Sequence, residues 1–138
     1  MNHWLLKSEP TTFSIDALAA RPKRTTSWDG VRNYQARNML RDSVKKGDFA
    51  FFYHSSCAVP GIAGIVRVVK RGYPEAADPR WYAVEVKLER KFESLITLDT
   101  LRRHEGKALA ELILLRRGNR LSVMPVTAKE WNFILALE

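Results

Sequence analysis

Residues 48–69 read "DFAFFYHSSCAVPGIAGIVRVV", and this run decides the fold. Its two apolar segments, "DFAFFYH" at 48–54 and "GIAGIVRVV" at 61–69, carry the aromatic and β-branched residues that suit a pleated backbone. A third segment of the same type, "RWYAVEVKLERKF" at 80–92, follows them, and the three are read as the centre of one sheet. The "GIAG" at 61–64 lacks the glycine count, the lysine and the following helix of a phosphate loop. It reads instead as a strand against which another backbone comes close.

Outward from this centre, strands and short helices alternate without repeats or an evident linker. "HWLLKSE" starts as an apolar strand that Pro10 ends, because proline cannot donate to a ladder. Ser14 has the character of an N-cap, with Phe13 and Leu18 spaced as a hydrophobic staple and Asp16 in the first turn. From Tyr34 to Val44 the apolar residues at 36, 39, 40 and 44 have helical spacing, and Gly47 supplies a stop. Beyond Phe92 the sequence predicts a small helix over 98–104, a second over 108–116 and a strand at "RLSVMPV". A closing helix follows, whose start is a capping box of Thr127 and Glu130 with a Val126 to Trp131 staple. The sum is an α+β chain of five or six strands in a small closed or nearly closed β-barrel, with helices over its ends and one flank.

Composition bounds what such a barrel can do. The 138 residues, 46% hydrophobic and 28% charged, suffice for one core, so a single domain over 1–138 is expected. No window reaches the roughly 20 apolar residues of a bilayer span, and the start lacks the apolar stretch of a signal peptide. That predicts a soluble, cytoplasmic protein with no membrane role. Cys57 is the only cysteine, which excludes an internal disulfide. The 23 Lys and Arg against 15 Asp and Glu leave a net charge of +8, which favours a polyanionic partner over a membrane or an acidic protein. The basic pairs at 23–24, 45–46, 70–71, 102–103 and 116–117 are scattered, and each alone reads as a solvated face.

Catalytic chemistry finds little support. His3, His54 and His104 share no metal-ligand spacing with one another or with Cys57, so neither metal nor cofactor is expected. In His54-Ser55-Ser56-Cys57 a base stands beside nucleophiles, but successive strand residues point to opposite faces. A binding reading does better. Lys7-Ser8-Glu9, Trp28 to Asn33, His54-Ser55-Ser56 and Arg120-Leu121-Ser122 all fall at element ends, where barrels keep their binding loops. The plain alternative makes Asn33 an N-cap, Arg32 and Arg37 surface charges, and Trp28 and Trp81 core fillers. The residues themselves leave both open.

The blocks "WLLKSEP" (4–10), "SWDGVRNYQARN" (27–38), "GDFAFFYHSS" (47–56), "PGIAGIVRVV" (60–69), "DPRWYAVEV" (78–86) and "RLSVMPVT" with "EW" (120–131) resemble, in order and across nearly the whole chain, the pattern of EVE domains. These belong to the PUA-like group together with the YTH domains. The resemblance implies a PUA-like mixed β-barrel flanked by helices and a non-catalytic pocket that reads modified bases in DNA or RNA. One departure is the short segment between Pro74 and Trp81, where many members are longer.

By position in that pattern, Trp28 stands as the first wall of an aromatic cage and Trp81 as the second, since an indole face stacks on any base. Trp4 and Trp131 fall to the core. Around the cage, backbone groups at Gly30 and Val31, the Asn33 amide and the hydroxyls of Ser8 and Ser55 are candidates for the base edge. Lys7 and Arg32 suit phosphate, while Arg120 suits a phosphate or an internal pair with Glu9. The expectation is a monomeric module, without a cofactor, that binds nucleic acid carrying a methylated or hydroxymethylated base. Its rivals are an enzyme acting through His54, Ser55 and Ser56, and a protein-interaction module.

Overall fold

The computed structural model describes residues 1–138. Six strands form one mixed sheet: β1 (His3–Ser8), β2 (Thr25–Trp28), β3 (Phe49–His54), β4 (Gly61–Pro74), β5 (Tyr82–Thr97) and β6 (Val123–Val126). Their order is β2-β5-β4-β3-β1-β6, so β3, β4 and β5 do lie inside the sheet. Four helices accompany them: α1 (Ile15–Ala19), α2 (Tyr34–Asp42), α3 (Leu98–Arg102) and α4 (Ala128–Leu135). Each starts at a side-chain cap, namely Ser14, Asn33, Thr97 and Thr127, whose oxygen accepts an N–H of the first turn.

The strands are apolar on both faces because both faces are covered. Leu6 and Phe52 enter a core beneath α1 and α2 with Trp4, Trp28, Val66 and Val84. Their neighbours Leu5 and Phe51 point the other way, into a core with Met124, Leu109, Leu112 and Trp131 of α4. Trp131 stacks on Phe51 with ring centres 3.9 Å apart. The first core also holds a buried acid: Asp48 accepts from the Trp4 indole at 3.0 Å and from the backbone of Lys45 and Asn2.

β1 and β3 run parallel, from His3 opposite Phe49 to Ser8 opposite His54; every other pairing is antiparallel. Parallel neighbours require a crossover, and residues 9–48 supply it with α1, β2 and α2. The α+β class expected from the sequence holds, but of the closed or nearly closed barrel foreseen the sheet does not reach closure. β2 and β6 are both edges, four residues each, and no ladder joins them. The expected helix over 108–116 is also absent. Its place is taken by successive turns, among them Leu112 N–H to Leu109 O and Leu115 N–H to Leu112 O, and a 3-10 turn at Ile113–Leu115. The bonds span three residues, and Leu109, Leu112, Leu114 and Leu115 are all buried along these turns.

β4 and β5 are longer than the apolar segments that marked them, reaching Pro74 and Thr97 through several register shifts. At its start β4 presses on β5. A Cβ on Gly64 would lie 2.4 Å from the Arg90 carbonyl oxygen, and one on Gly61 2.7 Å from that of Ile96. Since the obstacle is backbone, Gly64→Ala is expected to destabilise the fold by about 1–3 kcal/mol or more. Urea unfolding of the two proteins checks it, and equal midpoints would contradict the close approach.

Candidate functional site

Between edge strand β2 and the end of β1, the surface opens into a cleft of about 640 Å³. One wall is the end of β1, Lys7 and Ser8, with Ser122 just before β6. The opposite wall is edge strand β2 in full, Thr25 to Trp28, continued by Asp29, Gly30, Val31 and Arg32. Thr12, Phe13 and Arg21 form the floor and rim around α1. The cleft is thus the seam of an unclosed barrel. An edge strand keeps backbone donors and acceptors that no neighbour uses, and β2 brings them to this opening.

Of the fourteen residues the sequence singled out, seven meet here: Lys7, Ser8, Trp28, Gly30, Val31, Arg32 and Ser122. Several are engaged in ways the sequence did not suggest. Trp28 is only 7% exposed and sets its edge against Phe52, ring centres 5.4 Å apart at 87°. It is therefore a core residue that closes the cleft from behind. The Ser8 hydroxyl donates to the Phe13 carbonyl at 2.6 Å, which fixes the loop into α1 and leaves only the oxygen as an acceptor. Gly30 gives its N–H to Glu75 at 3.2 Å, and Arg32 forms two bonds with the same carboxylate, at 2.8 and 2.9 Å. Arg32, first through these bonds, holds the Glu75 carboxyl below its usual value.

The other seven lie elsewhere. Trp81 does not face Trp28; it stacks on the exposed Tyr34 at 4.7 Å, with the Arg32 guanidinium 5.1 Å from its centre. The turn of residues 78–81, pinned by Arg80 on Asp78 and by Arg37 on the Arg80 carbonyl, aims the indole at α2. Asn33 spends its side-chain oxygen on the Ala36 N–H as an N-cap. His54 accepts from the Ile15 N–H at 3.2 Å, capping α1. No hydroxyl or thiol bonds to its ring, so the pairing of base and nucleophile considered at 54–57 is absent. Ser55 donates its N–H to the Ser8 carbonyl, and Ser56 is exposed in the turn beyond. Leu121 packs between the two cores. Arg120 and Glu9 are both exposed and form no ion pair.

Sequence reasoning missed Thr12, Phe13, Arg21, Asp29 and the Thr25-Thr26-Ser27 run. A hydrophobic staple is a sufficient task for Phe13 in the sequence, yet one side of its ring faces the cleft beneath the Arg21 guanidinium, 5.3 Å away. The hydroxyl-bearing run directly before Trp28, two threonines and a serine, was the signal available for an open edge strand. Three cations and a single carboxylate, Asp29, line the cleft. Lys7 is half-buried, and burial lowers its ammonium from the ordinary value. No three His, Cys, Asp or Glu side chains converge anywhere to hold a metal ion. No helix is long and apolar enough to cross a membrane.

Comparison with known proteins supplies the context. A family model described as the EVE domain matches residues 2–137. Human thymocyte nuclear protein 1 is 41% identical, the alignment covering 99% of this chain and 74% of that protein. The structure of human THYN1 protein in complex with DNA containing 5-methylcytosine superposes with a TM-score of 0.91. It is 40% identical, with 99% of this chain and 97% of that one covered. A protein of Pseudomonas syringae gives a TM-score of 0.89 at 43% identity, over 98% of both chains.

Two outcomes follow from the site's construction. With its indole inside the first core, Trp28→Ala is expected to cost about 3–5 kcal/mol of stability, read by denaturant unfolding. A variant as stable as the parent would mean the indole is only a wall. The second concerns acid. Burial, foremost, holds the His54 ring below its ordinary 6.5, with Lys91 lowering it further and Asp16 opposing. The unfolded chain then takes up this proton more readily than the folded one. The associated stability is complete above about pH 6.5 and is lost as pH falls through the folded value. His54→Asn should flatten that acid limb in unfolding measured stepwise from neutral to acid pH. What remains belongs to His3, also lowered chiefly by burial, and at lower pH to carboxylates such as Glu75 and Asp78 that bonds from their arginines hold down.

Proposed function

Because the chain belongs to the EVE domain family, we propose that its seam cleft takes one modified base of a nucleic acid, and that it binds that base without reacting with it. The observation that carries this reading is the makeup of the cleft. It pairs an aromatic floor, Phe13 before Trp28, with an open strand edge, Lys7 and Arg21 at the rim, and one carboxylate. Its volume suits a nucleoside. The DNA complex of the human relative supports a cytosine methylated at carbon 5. On this chain Asp29 is the acceptor for the exocyclic amino group, the contact by which acids choose cytosine. The methyl group sheds its water against Phe13 and Val31, and that favours the modified base over the bare one. Lys7 and Arg21 meet phosphates; Arg32 stays with Glu75 and holds the Gly30 turn in shape. The chain acts in this reading as one domain and as a monomer, since one base fills one cleft.

Titration with short oligonucleotides carrying 5-methylcytosine or cytosine tests the proposal. The methylated strand is expected to bind more tightly, and equal affinities would remove the case for a modified base. Phe13→Ala should cost roughly 5- to 150-fold, the loss of one stacking contact at about 1–3 kcal/mol. Asp29→Ala should narrow the preference for cytosine over thymine in the same assay.

Binding should also weaken as salt rises, with a shallow slope, because so small a domain neutralises few phosphates. Anisotropy titrations from low to physiological salt give that slope. A flat response would deny the phosphate contacts assigned to Lys7 and Arg21.

A further inference from the structure

Lys7 lines two clefts. Behind it, on the face away from β2, lies a second opening of about 590 Å³ bounded by Tyr53, Arg102, Glu105, Arg116 and Arg117. The parallel register sets Lys7 directly opposite Tyr53, so one lysine stands on the ridge between the two openings. Tyr53 is only 3% exposed, and its hydroxyl, which bonds no other protein group, opens onto this cleft. Burial above all pushes the phenol up to about 12, with Arg102 acting the other way, so it remains a neutral donor.

The charges around that hydroxyl are unbalanced. Four cations face one acid. Arg102 reaches Glu105 at 3.0 Å, but both side chains are about half exposed, and such a pair releases its arginine easily. Arg116 touches only the outlying Glu111, at 4.0 Å. Lys7 and Arg117 have no acidic partner within that distance. The turn through Gly118, at φ 74, follows the 3-10 turn at once and holds Arg116 and Arg117 side by side at the rim. A hydroxyl donor in a cleft where cations outnumber acids four to one is the arrangement that an oxyanion with several acceptor oxygens completes.

We propose that the second cleft is an anion site for a phosphodiester group of the strand whose base enters the first cleft, with Lys7 as the shared wall. This rests on the nucleic-acid reading above and adds to it a direction: the backbone passes from β2 over the β1 ridge towards α3. Phosphate contacts of this kind position a strand and carry no preference among bases.

The test uses the whole chain and three short single strands, alike except for 5-methylcytosine, cytosine or an abasic sugar at one position. Arg116→Ala/Arg117→Ala is expected to weaken all three by a similar factor of about tenfold or more. The plot of log affinity against log salt should flatten by about 0.7 per phosphate lost, with the preference for 5-methylcytosine intact. Tyr53→Phe, which keeps the buried ring, should weaken all three by about tenfold. The matched variant Arg103→Ala/Lys107→Ala removes two charges outside the cleft and should lose much less. The inference is overturned if the matched variant loses as much, if the Arg116 and Arg117 variant binds as the parent does, or if only the methylated strand suffers. Loss of the abasic strand's binding in a protein indifferent to methylation would uphold this site and refute the base reading. No binding of any strand at low salt would refute both.

Discussion

The parallel pairing of β1 with β3 is the constraint on which the rest depends. Two strands that run the same way cannot be joined by a hairpin, so some forty residues must leave the rim and return to the other end. Those residues supply α1, α2 and the whole of edge strand β2, half the first cleft. The pairing also finishes both strands at one rim. Lys7 then stands opposite Tyr53, and the Ser8 carbonyl meets the Ser55 N–H. The far end of the pair is anchored by Asp48, whose carboxylate takes the Trp4 indole of β1 and the Lys45 N–H of the turn before β3. A buried acid with three N–H donors is satisfied, and it also ties β1 to the returning chain.

Net charge says less than where charge is unspent. Several of the basic residues counted in the +8 are engaged with acids beside them: Arg32 with Glu75, Arg80 with Asp78, Arg41 with Asp42, Arg90 with Glu138. These pairs are largely exposed and contribute little to stability. Their effect is to neutralise charge locally, so that the cations left without an acid are the ones free to meet an anion. Lys7, Arg21 and Arg117 all line one cleft or the other.

Much of the architecture was legible because its signals are local. Ser14, Asn33 and Thr127 cap helices through bonds spanning three residues, and such bonds can be read from spacing. The interior strands were legible because two covered faces leave no polar alternation. The site was half legible, and the failures share a cause. Trp81 and Trp28 are both tryptophans near helix α2, yet a turn aims one at Tyr34 while the edge of β2 sends the other to Phe52. Nothing within a few residues of either distinguishes those fates. Phe13 was hidden because a staple explains only one side of its ring. The run at 108–116 looked helical in its leucines, but Leu109, Leu112, Leu114 and Leu115 are all buried by a chain of tight turns whose bonds span three residues, and leucine spacing alone does not separate that from a helix.

If the seam cleft is the binding site proposed above, the incomplete barrel is a functional shape and not a shortfall of strands. Had β2 paired with β6, its spare backbone groups would have been spent on a ladder, and Thr25 to Trp28 would face a neighbour instead of an opening. Leaving the seam open exposes polar backbone and hydroxyls beside an aromatic floor that the core already holds rigid. Trp28 shows how the two demands are reconciled: its edge belongs to the core, and what little of it remains exposed forms the back of the cleft. A ligand that enters meets a wall fixed before it arrives, so little ordering of side chains opposes its binding. In the proposed reading the same rigidity lets the first cleft select by shape, whereas the second, rimmed by long exposed arginines, follows a backbone whatever bases it carries.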